Sequence, residues 1–195
     1  GGDIDLIKTG SLYHDVGKLH APNWFIENQD GGVNPHDEID DPLKSAEVLQ
    51  AHVDEGLKFA RKNRLPKPIA NFIPEHQGTL KMGYFLNKAE EKKLNFNESD
   101  FRYRGPIPQS KETAILMLAD GCEAALRAMD IKASDYEALE TISKIFNSRI
   151  VDGQLNDSNL SKGEIFLIKK SFLNVWKRIR HRRIQYPTTK NNTFS

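Results

Sequence analysis

Apolar positions recur at three- and four-residue spacing over most of this chain, while sustained apolar/polar alternation is lacking, so the pattern predicts helices rather than strands. A first short helix is expected over residues 5–15, stopping at Gly17. Residues 22–41 are rich in Asn, Gly, Pro and Asp and read as a long ordered loop. A long helix follows from Pro42 to Arg64, its stripe made of Ala46, Leu49, Val53, Leu57 and Ala60. Further helices are expected over residues 66–78 and 79–93, then a polar, proline-containing excursion over 95–109. Residues 111–129 form the most apolar segment, with Ile115, Leu116, Leu118, Ala119, Cys122, Ala125 and Leu126, and are expected at the centre of the core. Two more helices, over 136–150 and 163–186, flank a turn-rich stretch at 152–161, and residues 188–195 read as a disordered tail. The predicted fold class is all-α, with a single domain over residues 1–187.

Composition narrows the chemistry. The chain has 195 residues, 38% hydrophobic and 28% charged, with a formal net charge of +1. That length buries one substantial core. The balanced charge gives no polyanion-binding character, so nucleic acid is not an expected partner. No apolar run approaches the ~20 residues that span a bilayer. The single cysteine, Cys122, excludes an intrachain disulfide and a thiolate cluster. A reducing, cytoplasmic setting follows, and any metal would rest on nitrogen and oxygen ligands.

Candidate chemistry lies where polar groups interrupt apolar helices. His14 and Asp15 end the first helix, His52 lies beside the stripe of the long one, and His76 closes the next. Asp120 interrupts the most hydrophobic segment of all. A buried carboxylate needs a partner, and a divalent metal satisfies several such groups at once. Taken singly, each has an equally good structural explanation. A helical His is more often simply hydrogen-bonded, and Arg127 lies along the same face as Asp120. The ordered set His-Asp, His, His, Asp on separate segments favours a metal site. His20, His36 and His181 are ranked as structural.

The segments Tyr13-His14-Asp15-Val16-Gly17-Lys18, Phe25-Ile26-Glu27-Asn28-Gln29, Asn34-Pro35-His36-Asp37, Glu75-His76-Gln77-Gly78-Thr79 and Leu118-Ala119-Asp120-Gly121-Cys122 resemble the HD-domain phosphohydrolases. So do Asp100-Phe101-Arg102-Tyr103, Ser110-Lys111-Glu112 and residues 181–187. More narrowly, the chain is similar to the HD domain of seven-transmembrane (PgpH-type) cyclic di-AMP phosphodiesterases. The related class marked by Gly-Tyr-Pro is disfavoured, because Gln77-Gly78-Thr79 follows His76. The resemblance implies an HD helical bundle of about six to eight helices and hydrolysis of cyclic di-AMP to the linear dinucleotide. It implies two divalent transition metals, manganese or iron, sharing Asp15 as bridge. His14 and Asp120 would complete the first site, His52 and His76 the second. Asp15 and Lys18 are the implied catalytic residues, with Lys18, Thr79 and, more weakly, Arg127 as phosphate contacts. Arg127 is explained equally well by pairing with Glu123.

Two departures qualify that picture. Gln77 stands where the family carries a second histidine, which weakens the second metal site. No histidine precedes His14, whereas the family uses one on an upstream helix. The chain is therefore read as a piece of a larger bacterial inner-membrane protein with a cytoplasmic HD domain, and its catalysis as impaired. Two alternatives stay open: action on another nucleotide, or a catalytically silent cyclic-dinucleotide-binding or dimerisation module. The oligomeric state also stays open, a homodimer included. The last helix carries Lys169, Lys170, Lys177, Arg178 and Arg180 beside Phe172, Leu173, Trp176 and Ile179. A core-packed helix with a solvated basic face is the favoured reading over one that touches lipid or RNA.

Overall fold

In a computed structural model, which describes residues 2–29, 31, 33–130 and 132–181, the chain is all-α. Nine α-helices are present among these residues: α1 Ile4–Tyr13, α2 Pro35–Ile39, α3 Pro42–Lys62, α4 Lys67–Ala70, α5 Phe72–Glu75, α6 Gly83–Glu91, α7 Lys111–Arg127, α8 Asp135–Val151 and α9 Lys162–His181. Extended pairing is confined, among the described residues, to one antiparallel bridge between Lys81 and Arg102. The end of the last predicted helix and the tail at 188–195 lie outside the described residues.

The helix starts follow the expected capping chemistry. Asp3 accepts hydrogen bonds from the amides of Asp5 and Leu6, Asp41 from Lys44, and Ser110 from Thr113. Ser134 and Glu137 form a reciprocal capping box at the start of α8.

Three expectations are corrected. The stretch at 22–41 is not one loop: it holds 3-10 turns at Pro22–Trp24 and Ile26–Asn28, then α2, which Asn34 caps. The helix expected over 66–78 is split into two single turns, α4 and α5. Pro74 has no N–H to give the carbonyl of Ala70. The helix expected from residue 79 begins only at Gly83. Residues 80–82 are held extended, Met82 donating to the carbonyl of Phe101 and Tyr103 to that of Leu80.

Three clusters form the core. Met117, Leu118, Ile142 and Phe146 join α7 to α8, with Phe172 and Leu173 of α9 packed on them. Ala46, Phe85, Leu86 and Phe101 join α3 to α6. Val53, Ala60 and Ile73 join α3 to α5. The basic residues of α9 are partly engaged within the fold: Lys177 pairs with Asp135 at 2.6 Å, and Arg180 lies 4.6 Å from the centre of the Trp176 ring. The helix packs on the core through Phe172 and Leu173, while Ile179 of the same face is 48% exposed. Among the described residues no helix is long and apolar enough to cross a membrane.

Close approach of elements sets up the site. A Cβ on Gly17 would lie 1.7 Å from the carbonyl oxygen of His52, so only glycine lets the turn at Val16–His20 rest on α3. On Gly10 it would meet the Phe72 ring at 2.5 Å, which lets α1 settle against α5.

Candidate metal centre

Three histidines from three segments point at one carboxylate. His14 caps the end of α1, His52 lies in α3, and His76 caps the end of α5. In each, Nδ1 lies within hydrogen-bond reach of a carbonyl on its own segment: Ser11 at 2.8 Å for His14, Leu49 at 2.5 Å for His52 and Ile73 at 2.7 Å for His76. A carbonyl only accepts, so these bonds place a proton on Nδ1 and aim Nε2 inward. Fixing the tautomer and ring direction through the outer nitrogen is how ligand histidines are held.

All three Nε2 atoms face Asp15. Its Oδ2 lies 3.2 Å from His14 Nε2, while Oδ1 lies 3.4 Å from His76 Nε2 and 3.7 Å from His52 Nε2. Asp120 in α7 closes the His14 side, its Oδ1 3.8 Å from the same Nε2. Ligand atoms of His14, Asp15 and His76 all fall within 4.8 Å of one another. His76 and His52 are almost fully buried, at 1% and 3% exposure.

The electrostatics fit a cation. Burial disfavours charge on His14, but the carboxylates of Asp120 and Asp15 outweigh it and raise its pKa to about 10. Burial alone would raise Asp15 and Asp120. The nearby imidazole of His14, joined by that of His76, instead holds both below the usual carboxylate range. His52 goes the other way: burial first, then the neighbouring His76 ring, lower it to about 4 and keep it a neutral donor of a lone pair.

The donor set passes a test of fit. The buried atoms His14 Nε2, Asp15 Oδ1, His52 Nε2 and His76 Nε2 make no hydrogen bond. Orphaned buried polar atoms are rare, and four of them converging on one place is the pattern a divalent ion satisfies. Asp15 offers one oxygen to each side, so the set divides naturally into His14–Asp15–Asp120 and Asp15–His52–His76.

Of the remaining sequence candidates, one contacts the cluster directly. Lys18 does reach the cluster, with Nζ 2.7 Å from Asp15 Oδ2 and a second salt bridge to Glu27. Thr79 is held by Gln154, which accepts from its amide at 3.0 Å and donates to its hydroxyl at 2.8 Å. Arg127 is exposed, pairs with Glu123, and lines a separate cavity of about 400 Å³ between α7 and α9. The paired explanation for Arg127 therefore holds, whereas Asp120 faces His14.

Sequence reasoning passed over three groups. Glu27 holds Lys18. Glu75, only 3% exposed, accepts from the amide of Gln109 at 2.9 Å and the hydroxyl of Thr113 at 2.7 Å, tying α5 to α7. Tyr103 sets its ring edge-on to His52 at 5.9 Å. Burial and the charges of Asp15, Asp120 and Glu27 raise its phenol above the ordinary value, so it stays a neutral O–H. Glu27, Glu75 and Tyr103 all lie in family-like segments quoted above, which was the available signal.

The HD-domain family profile matches residues 1–125, and the chain belongs to that family. Among curated relatives it is 36% identical over 191 residues to the cyclic-di-AMP phosphodiesterase PgpH of Listeria monocytogenes, covering 98% of this chain and 26% of that protein. It is 38% identical over 183 residues to PgpH of Bacillus subtilis, covering 93% and 25%. An uncharacterised Synechocystis protein is 48% identical over 190 residues, covering 95% and 23%. The chain thus spans about a quarter of the length of the curated relatives it matches. The crystal structure of the L. monocytogenes PgpH HD domain in complex with cyclic-di-AMP superposes with a TM-score of 0.88 at 35% identity, covering 92% of this chain and 83% of that one.

Proposed function

We propose that this chain is a metal-dependent phosphodiesterase domain that hydrolyses a cyclic dinucleotide, cyclic di-AMP, to the linear product. The observation that carries the reading is the convergence of three Nδ1-anchored imidazoles on Asp15, with Asp120 closing the His14 side. Similarity to two PgpH proteins, one seen with cyclic-di-AMP, supports the substrate class.

His14, Asp15 and Asp120 would hold one divalent ion, and Asp15, His52 and His76 a second. Manganese or iron suits this imidazole and carboxylate set. The two ions supply the Lewis acidity and water activation that phosphodiester hydrolysis requires. The chain's own residues do the rest. The anchored imidazoles keep the donor atoms in place without reorganisation. Lys18 holds Asp15 from the side and keeps positive charge at the rim of the cluster, where a phosphate arrives. Thr79 accepts from Gln154 through its oxygen, leaving its own proton free to donate to a phosphate oxygen. Gln77, beside His76, carries an amide where an imidazole would bind a late transition metal more strongly, so a second ion would be held less tightly. The domain faces the cytoplasm and is tethered through a longer, membrane-bound parent.

Incubation with cyclic di-AMP and manganese, with chromatography of the products, tests the reading. The linear dinucleotide is expected, and Asp15→Ala is expected to abolish it. Intact substrate, bound tightly by a metal-loaded protein, would instead establish a sensing module.

A further inference from the structure

One family-like segment, Asp100-Phe101-Arg102-Tyr103, has no part in holding a metal, yet the fold carries its last residue to the cluster. Gln50, two residues before His52 on α3, donates from its amide to the carbonyls of Asp100 and Arg102, both at 2.9 Å. On the other side the Tyr103 amide donates to the carbonyl of Leu80 at 3.0 Å. Phe101 between them is buried in the cluster that joins α3 to α6. The Tyr103 ring packs against the cluster of Val53 and Ile73 and stands edge-on to His52, centres 5.9 Å apart. The residue is fixed from both sides, so its hydroxyl needs no reorganisation to act.

The hydroxyl itself is uncommitted. It bonds to none of the described residues, and it is not one of the enclosed polar atoms that lack a partner, so it keeps contact with solvent. Three carboxylates act on it: Asp15 at the centre of the cluster, Asp120 on its His14 side and Glu27 at its rim. A deep-set group that solvent reaches, and that all three charges influence, lines the cleft of the cluster. A phenol is protonated at neutral pH, and burial followed by these charges reinforces that. The other protons placed at the cluster are engaged or too weakly acidic. Those on Nδ1 of His14, His52 and His76 go to the carbonyls of Ser11, Leu49 and Ile73. Burial opposes the charge of Lys18, but Asp15 and Glu27 hold its ammonium and raise its pKa. Thr79 is an alcohol, no more acidic than a ribose hydroxyl.

We propose that Tyr103 is the general acid of the reaction, its O–H giving a proton to the ribose oxygen that leaves phosphorus. The assignment rests on the phosphodiesterase reading for its substrate. As the oxygen of the attacking water bonds to phosphorus, the P–O bond to the ribose breaks and its electron pair stays on the ribose oxygen. That oxygen takes the Tyr103 proton and departs as a neutral hydroxyl. The phenolate recovers a proton from solvent, which balances the one that the attacking water gave up. An alkoxide is more basic than a phenolate, so the transfer runs downhill as the bond breaks.

Tyr103→Phe keeps the ring and deletes only the hydroxyl. Turnover by the manganese-loaded protein is compared on two esters. Cyclic di-AMP has an alkoxide leaving group, whereas the nitrophenolate of bis(p-nitrophenyl) phosphate leaves without a proton. The substitution is expected to slow cyclic di-AMP hydrolysis by roughly 10²-fold, as loss of a general acid does. The loss on the nitrophenyl ester is expected to be smaller by at least about tenfold, since that bond breaks without an acid. No loss on cyclic di-AMP overturns the proposal. Manganese affinity, measured by calorimetric titration, separates an acid from a prop for His52. It is expected to be the same in Tyr103→Phe and the unaltered protein, and a fall that parallels the loss of turnover overturns the proposal. If the unaltered protein hydrolyses neither ester, the phosphodiesterase reading fails and the acid assignment with it. If it hydrolyses both and the substitution slows them alike, the acid assignment alone fails.

Discussion

Lys18 Nζ lies 2.7 Å from Asp15 Oδ2, one turn along the chain, and the same ammonium is shared with Glu27. The lysine is therefore a clamp on the carboxylate at the centre of the cluster, and it competes for the very oxygen that faces His14. Burial opposes its charge, but Asp15 and Glu27 raise its pKa above the ordinary lysine value, so it stays protonated.

Lys18→Met is accordingly expected to act in opposite directions on two quantities. Removing a cation beside Asp15 strengthens the pull on a divalent ion, so metal affinity rises severalfold. Turnover falls by roughly 10²-fold, because positive charge aimed at the phosphate is lost. Metal titration with steady-state kinetics on the same preparation checks both. A fall in metal affinity would mean that Lys18 serves only to hold the fold.

Gly17→Ala tests how tightly the site depends on the packing beneath it. The new Cβ would sit 1.7 Å from the carbonyl oxygen of His52 and 2.5 Å from the Gly56 amide nitrogen, both backbone atoms that cannot step aside. Overpacking of this kind costs about 3 kcal/mol or more. Urea unfolding is expected to show a loss of that order, whereas a change within about 0.5 kcal/mol would show that the turn is not seated on α3 as described.

Glu164 gives a prediction on pH. Its carboxylate is bonded first by Lys111 across the α7–α9 contact, at 2.5 Å, and then by the amide and hydroxyl of Ser161, which together lower its pKa to about 2. A depressed carboxylate stabilises the fold above its unfolded pKa, and that contribution is lost as pH falls through the folded value. Glu164→Gln is thus expected to be less stable than the unaltered protein at pH 7. The difference should hold down to about pH 4.5, near the unfolded value, and shrink below it. Denaturant midpoints for both proteins between pH 7 and pH 3 check the sign. A gap that widens on acidification would contradict it.

Much of the architecture could be read from the sequence because its helices carry strong periodicity. The stripe from Ala46 to Ala60 gave α3 nearly to the residue, and the apolar run around Leu118 gave α7. The misses have local causes. Pro74 splits a segment whose apolar positions alone read as one helix, and the bridge between Lys81 and Arg102 delays α6 through contacts twenty residues apart in sequence. At the site, His14, Asp15, His52, His76 and Asp120 were legible because each is a polar group on an apolar background. Asp15 as the group they share came from the resemblance, while the Nδ1 bonds that turn the three rings inward could not be read from the sequence. Glu27 escaped for the opposite reason: a glutamate in a polar segment carries no anomaly until its partner is seen, and Glu75 was overshadowed by His76 beside it. His36 was set aside as structural, and it lies buried between the rings of Trp24 and Phe85.

The central claim is that the two oxygens of Asp15 serve two metal ions. Electron paramagnetic resonance of the manganese-loaded chain tests it most directly, because two Mn(II) ions sharing one carboxylate couple magnetically and isolated ions do not. The account predicts a coupled, dinuclear spectrum that gives way in Asp15→Ala to weak, uncoupled manganese. An uncoupled spectrum in the unaltered protein at full loading, unchanged by Asp15→Ala, would contradict it.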